Sequence, residues 1–355
     1  MRNKLRIIFH RKIKINLKII FYFLKYSHFL SVHTPYLFSS LTSYLHPADM
    51  TSFNAFFAKG NVLKVLMESL QLAVTRVHLS LTEKGIYIRD YDAGHTILYD
   101  IEFQRENLKD YICERERVIS VCVKQFYKQL KNVKKKDSIT LFIPAEGDDQ
   151  LGILIQPEDN KNESGRSEKN FVLFNDELDY TPIDIPANDE YEYPMVIEAS
   201  EFQKIKKMIG SSRKICIQIQ RSNYISFQAG DSELLKSTIF FGKLMSPDGT
   251  VAATTTTGTG TTPPLTGIYD EPFNSSNINM LIKFPGMCST MQFYAPREKG
   301  LPLRLKINAG QNNTLIGTVQ IFIKDTNTIA LEHSMEDLPP VMEQPKRGRA
   351  KKVKA

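Results

Sequence analysis

Residues 123–137 read VKQFYKQLKNVKKKD. Wound as a helix, this stretch places Lys124, Lys128, Lys131 and Lys135 at i, i+4, i+7 and i+11, a narrow strip along one face. Phe126, Leu130 and Val133 repeat at i, i+4 and i+7 on the opposite side, which predicts a face packed onto a core. Adjacent like charges on a helix repel by a few tenths of a kcal/mol per pair. A strip that concentrates them has a use for its positive field or is solvated surface, and one helix alone does not decide between the two.

The design recurs. Residues 199–210, ASEFQKIKKMIG, set Phe202, Ile205, Met208 and Ile209 on one side and Lys204 with Lys207 on another, with Ser200 as N-cap and Gly210 as the residue after the helix. Residues 61–72, NVLKVLMESLQL, form a third amphipathic segment with Lys64 on its edge. A weaker fourth covers 277–284, carries Lys283 and is stopped by Pro285. Two such helices per half of the chain, each offering lysine away from its apolar side, describe a duplicated scaffold facing phosphate.

Charge is distributed unevenly. The 355 residues carry 46 Lys and Arg against 39 Asp and Glu, a net +7. Residues 1–49 hold eight basic groups and one acidic, and the last ten, KRGRAKKVKA, hold six basic ones. Residues 50–345 therefore have 46 − 8 − 6 = 32 basic against 39 − 1 = 38 acidic groups, a net −6. Lysine stripes on an acidic body imply a localised positive surface, not a generally adhesive basic protein. Cys113, Cys122, Cys216 and Cys288 show no CxxC spacing and read as reduced thiols. Four of the seven histidines precede residue 50, leaving His78, His95 and His333, too scattered for a metal cluster. Asp90 and Asp92 share a strand face, but no third ligand joins them, so no metal and no cofactor are expected.

The chain divides as follows. Residues 1–49 are basic and aromatic-rich and are expected to be a poorly structured extension, with Met50 expected as the working start; a membrane or organelle role for the extension is the alternative. A first domain spans 50–178, with a hairpin at Glu83-Lys84-Gly85, strands in TILYDIEF, SITLFIP, LGILIQP and FVLFNDEL, and a polar loop at 158–169. An acidic, proline-containing connector covers 179–194, and a second domain covers 195–330. The second domain repeats the helix-plus-meander order and is interrupted by a Thr-rich stretch, 246–272, expected to be disordered. Residues 331–355 are expected to be a disordered basic tail.

GIYIRDYDAGHTILYDIEF (residues 85–103), YICERERVISVCVKQFYKQLK (111–131) and KGNVLKVLMESL together resemble the sliding clamp family of proliferating cell nuclear antigen. The likeness runs from Phe53 to about Asp325, more loosely in the second half, where EFQKIKKMI and the closing strands carry it. It implies an α+β chain of two similar clamp domains, with antiparallel sheets outside and short helices inside, closing a ring as a homotrimer around double-stranded DNA without sequence specificity. It also implies DNA polymerase and other proteins with a clamp-binding motif as partners, a clamp loader ATPase, and a nuclear or viral replication compartment. By position, Lys64, Lys128, Lys131, Lys204, Lys207 and Lys283 match helix residues that face DNA, and the stripe adds Lys124 and Lys135. His95 and the connector, with Tyr180, Ile183 and Ile185, match a groove for partner peptides. Segments carrying Phe171, Leu173 and Phe174, and Leu234, Leu235, Lys236 and Thr238, match edges that pair between subunits. Departures are the Thr-rich stretch, the polar loop, both tails, and Thr96 where the family has a branched apolar residue. The edges carry no private signature, so a specialised heteromeric clamp or a monomeric processivity factor fits the same text.

An enzyme is the rival class. The sequence holds no G-x-x-x-x-G-K-[ST], no G-x-S-x-G and no H-E-x-x-H; the segment from Gly230 to Ser237 fails as a P-loop because Leu235 replaces the second glycine. No catalytic residues are expected.

Overall fold

The computed structural model describes residues 51–336 apart from 145–148, 158–167, 211, 221–223, 231–236, 243, 246–250, 253–266 and 312–313. The basic extension, most of the polar loop, the greater part of the Thr-rich stretch and the tail beyond 336 lie outside the described residues. The first half contains β1 (Thr51–Phe57), α1 (Gly60–Leu70), β2 (Arg76–Thr82), β3 (Gly85–Tyr91), β4 (Ile97–Gln104), β5 (Lys109–Cys113), β6 (Arg117–Cys122), α2 (Val123–Leu130), β7 (Ser138–Pro144), β8 (Gln150–Gln156) and β9 (Glu168–Asp176). After the connector come β10 (Met195–Glu198), α3 (Ala199–Phe202), a 3-10 turn (Gln203–Ile205), α4 (Lys206–Ile209), β11 (Lys214–Gln220), β12 (Tyr224–Ala229) and β13 (Ser237–Gly242). Two short strands, β14 (Leu244–Met245) and β15 (Val251–Ala252), precede β16 (Gly267–Asn274), α5 (Ser275–Leu281), β17 (Thr290–Tyr294), β18 (Leu303–Gln311), β19 (Thr314–Ile323) and α6 (Thr326–Glu336).

The strands pair antiparallel. Thirteen form one sheet in the order β10-β17-β18-β19-β4-β3-β2-β6-β9-β8-β7-β1-β5, four form a second in the order β13-β12-β11-β16, and β14 pairs with β15. The two halves are joined through the large sheet: β19, the last strand, runs beside β4 from Thr318 opposite Glu102 to Ile323 opposite Ile97. The hairpin expected at residues 83–85 is present, with Thr82 opposite Gly85. Gly85 has φ +149°, and a Cβ there would lie 2.2 Å from the Phe103 carbonyl oxygen, so the turn requires glycine.

Alternation fixes the core. Ile97, Tyr99, Ile101 and Phe103 of β4 point inward, where α1 brings Leu63, Leu66, Met67 and Leu70 and α2 brings Phe126 and Leu130. In the second half Phe202 of α3 meets Phe227 of β12 and Phe293 of β17 at ring separations of 5.8 and 5.6 Å. Burial of such aromatic side chains supplies the main force that holds short helices against a sheet.

Three expectations need correction. The periodicity predicts a lysine helix through 137, but the helix stops at Leu130. Asp137, buried, accepts from the Lys134 amide through Oδ2 at 2.8 Å and through its own carbonyl from Gly60 N at 2.8 Å, which ties residues 134–137 into a turn under α1. The stretch 246–272 is not disordered throughout, because residues 267–272 belong to β16, with Tyr269 and Phe273 buried. Pro272 is tolerated there because β16 is an edge strand of its sheet. Residues 331–336 belong to α6, not to a disordered tail. Asp325 starts that helix by accepting from Asn327 N, Thr328 N and Thr328 Oγ1 at 2.7–2.9 Å.

Candidate functional site

The helices carry their lysines as the periodicity requires, with individual differences. Val123, Phe126 and Leu130 of α2 are buried, while Lys124 and Lys128 are exposed. Lys131, still helical in backbone, ends the helix and is exposed; Lys135 is exposed too, but sits in the turn beyond the helix. In the second half Lys207 is exposed, and Lys204 forms an ion pair with Glu201 one turn earlier. Lys283 reaches across the halves to Glu68 Oε1 of α1 at 2.6 Å. Lys64 turns inward: half-buried, it donates from Nζ to the Val133 carbonyl at 2.8 Å and so helps close the end of α2. Of the eight lysines, therefore, Lys124, Lys128, Lys131, Lys135 and Lys207 make neither an ion pair nor a side-chain hydrogen bond among the described residues.

The segments expected to pair between subunits fall on open strand edges, one on β9 and one on β13. β9 pairs with β8 from Glu168 to Leu173, but with β6 only from Phe174 to Asp176. Its other edge before Phe174 is thus unpaired, and Phe171 and Leu173 are exposed there. Phe174 is a correction: it is buried opposite Val121, with the Arg117 guanidinium 5.0 Å from its ring, so its side chain belongs to the interior. β13 is an end strand paired to β12 alone, and half-buried Thr238 lies on it. Leu234, Leu235 and Lys236 fall outside the described residues.

The connector lies over the large sheet. Ile183 and Ile185 alternate inward around exposed Asp184 and pack on Leu98, Tyr191 and Phe322, together with Tyr91 and Tyr294. The registers explain the cluster: Tyr91 is opposite Leu98, Leu98 opposite Phe322, Phe322 opposite Arg304 and Arg304 opposite Tyr294, one cross-strand row over five strands. His95, held at φ +51°, sets its ring 5.1 Å from Tyr91 and so joins the edge of the row. Its turn is built by Asp92, which accepts from Gly94 N, Thr96 N, Ile97 N and Thr96 Oγ1 at 2.7–3.3 Å. Thr96 also accepts from Asn277 Nδ2 of α5 at 3.2 Å, which accounts for a hydroxyl at that position.

Tyr180 is separate from this row. Its hydroxyl donates to the Arg89 carbonyl at 2.9 Å and its ring lies 5.3 Å from His78, whose Nδ1 is 2.6 Å from Asp90 Oδ1. Burial raises the Asp90 carboxyl above the ordinary aspartate range, and its hydrogen bonds from His78 pull it partly back. Asp90 and Asp92 are both engaged in these local bonds. Tyr91, Leu98, Tyr191, Tyr294, Phe322 and Arg304 were not identified from the sequence. The signal available was a single apolar residue on the polar side of an alternating strand, as Leu98 is in β4 and Phe322 in β19.

Comparison with known proteins bears on the family and the fold. The family described as proliferating cell nuclear antigen, N-terminal domain, matches residues 52–179. Proliferating cell nuclear antigen 2 of Plasmodium falciparum is 27% identical over 154 residues, 43% of this chain and 57% of that protein. A probable DNA polymerase sliding clamp of Paramecium bursaria Chlorella virus 1 is 24% identical over 270 residues, 75% of this chain and 95% of that protein. Among solved structures, proliferating cellular nuclear antigen from Entamoeba histolytica superposes with a TM-score of 0.59 at 14% identity, covering 78% of this chain and 99% of that one. The PCNA2–PCNA3 complex from Sulfolobus tokodaii gives 0.57 at 17% identity, covering 77% and 99%. The fold is the clamp fold. By sequence the chain is similar to sliding clamps of the proliferating cell nuclear antigen family, most directly over residues 52–179, and by fold it is a clamp.

Proposed function

We propose that this chain is a DNA sliding clamp: a non-catalytic processivity factor that encircles duplex DNA, tethers a DNA polymerase and offers docking places to replication and repair proteins. The observation that carries the reading is the exposed row Lys124, Lys128 and Lys131 on a helix whose other side is locked into the core by Phe126 and Leu130. Lysines on flexible stems meet phosphates as loose point charges, whereas bidentate arginine would favour fixed registers. Phosphate contacts carry no sequence information, so such a surface holds DNA and lets it slide.

Retention then comes from topology. The open edges of β9 and β13 would pair between protomers and close a homotrimer, which also hides edges that otherwise invite aggregation. Partner proteins would place a short aromatic-bearing helical segment in an apolar groove beside the connector, on the surface that the packing of Ile183 and Ile185 on Leu98 and Phe322 shapes. The family relationship adds a clamp loader ATPase and a replication compartment, nuclear or viral.

The test is the absolute mass of the chain in solution, by light scattering on a sizing column, followed by retention on closed circular DNA. A mass three times that of the chain, with DNA retained until the circle is cut, is expected. A monomer that leaves circular and linear DNA at the same rate overturns the homotrimeric ring.

A further inference from the structure

Arg304 is the one charged residue in an otherwise apolar cross-strand row. It is 6% exposed, and its guanidinium carbon lies 4.8 Å from the Tyr294 ring centroid, 5.6 Å from Tyr191 and 5.9 Å from Phe322. Among the described residues no carboxylate forms an ion pair with it, and its Nε has no hydrogen-bond partner. A buried guanidinium without a counter-charge is costly, so the fold gains little from it as a stabilising element. Its two remaining nitrogens show what it does instead. Nη1 donates to Asn188 Oδ1 at 2.6 Å, in the 3-10 turn of the connector, and Nη2 donates to Gln320 Oε1 of β19.

From Gln320 the bonds continue across the sheet. Gln320 Nε2 donates to Asp100 Oδ2 on β4 at 2.9 Å, and Arg89 Nε on β3 donates to Asp100 Oδ1 at 2.8 Å. Arg89 Nη1 then donates to the Ile183 carbonyl at 3.0 Å, which returns the chain of bonds to the connector. The register places Arg89 opposite Asp100 and Asp100 opposite Gln320, so these side chains lie on one face of neighbouring strands. Strands from both halves of the chain thus supply a polar relay that grips the connector at Ile183 and at Asn188. Between those points lies Ile185, and Tyr191 follows three residues after the second; both pack in the apolar cluster under the connector.

We propose that Arg304 is a positioning residue for the partner groove: through Asn188 and Gln320 it holds the connector in its binding shape before any partner arrives, so that ordering cost is not left to the partner. The proposal deepens the peptide-docking reading above and rests on it for its binding consequence, although the holding of the connector stands on the hydrogen bonds themselves. Preorganisation of this kind raises affinity without adding any new interaction with the ligand.

The experiment uses the full chain with Arg304→Met, Arg304→Lys and Asn188→Ala, alone and with Arg304→Met combined with Asn188→Ala. Amide hydrogen exchange of residues 183–191 is read without ligand, and affinity is read with a fluorescein-labelled helical peptide bearing phenylalanine and tyrosine on one face. Arg304→Met is expected to speed connector exchange and weaken the peptide about tenfold, while the melting temperature stays level or rises, since methionine replaces an unpaired buried charge by apolar volume. Arg304→Lys restores little, because an ammonium cannot fork between Asn188 and Gln320. Adding Asn188→Ala to Arg304→Met costs nothing further, as expected for two members of one link. Unchanged exchange and unchanged affinity in Arg304→Met overturn the proposal. So does a fall in melting temperature that accounts for the affinity loss, since that is a plain structural role. A wild-type chain that binds no such peptide sinks the docking reading, and the exchange data alone then decide whether Arg304 holds the connector.

Discussion

On the helix side, Lys124, Lys128 and Lys131 stand in solvent and touch little; on the connector side, Arg304 is sunk among aromatic rings and bonded in series with Gln320 and Asp100. The first arrangement is a sum of nearly independent charges, each of which can be removed without disturbing the others. The second is a coupled structure in which one substitution is felt along the sheet. A surface that must let a polyanion slide is served by weak and separable contacts. A groove that must recognise a short segment is served by a shape fixed in advance. The difference between the two faces is thus one of coupling, not of charge: each face is cationic in part.

The comparison predicts where substitutions will be expensive. Tyr191→Ala on the connector side removes a buried ring that packs on Leu98 and Phe322 and supports Arg304, and is expected to cost about 3 kcal/mol of stability, read from denaturant midpoints. It should also abolish peptide docking while leaving DNA retention intact at temperatures where the chain is folded. A loss well under ~1 kcal/mol would show that the connector is loosely held and would erase the contrast. On the helix side, Lys124, Lys128 and Lys131 replaced together by Gln should leave stability within about 0.5 kcal/mol of wild type. The same variant should flatten the dependence of log affinity for DNA on log salt by about 0.9 for each phosphate that is no longer neutralised. An unchanged salt slope would remove the stripe as a DNA track.

Lys64 sharpens the comparison from within. It belongs by sequence to the helix-side lysines, but its Nζ is spent on the Val133 carbonyl. Lys64→Met is therefore expected to behave like a connector-side change on a small scale, with stability falling by about 1 kcal/mol. Its effect on DNA retention should be smaller than that of Lys128→Met. Equal DNA effects from the two would mean that Lys64 leaves its carbonyl when DNA is present.

How far these features could be read in advance follows the range of the interactions. Amphipathic periodicity is local, so α1 and α2, the hairpin at Gly85 and the outward placement of Lys124 and Lys128 were all legible. The end of α2 was not, because it depends on Asp137 bonding both to its own turn and to Gly60, 77 residues away. The start of β16 was missed because it follows closely on the Thr-rich text and reads as part of that stretch, and only its place at a sheet edge makes Pro272 acceptable. Phe174 looked like its exposed neighbours Phe171 and Leu173 and proved to be interior, since β6 covers the edge at that residue and not before it.

The sequence by itself determined the antiparallel α+β architecture, the duplicated order of elements, the lysine-bearing helices and the apolar character of Ile183 and Ile185 in the connector. Each of these is written in spacings of two, three or four residues, which the backbone geometry of strands and helices converts directly into faces. Tertiary structure alone decided which lysines remain without ion pairs, which part of β9 is open, and that Arg89, Asp100, Gln320 and Arg304 form one line under the connector. Those residues are brought together by strand register across as many as 231 positions of chain, from Arg89 to Gln320. Register is set by the packing of the whole sheet, so no local pattern in the sequence encodes it.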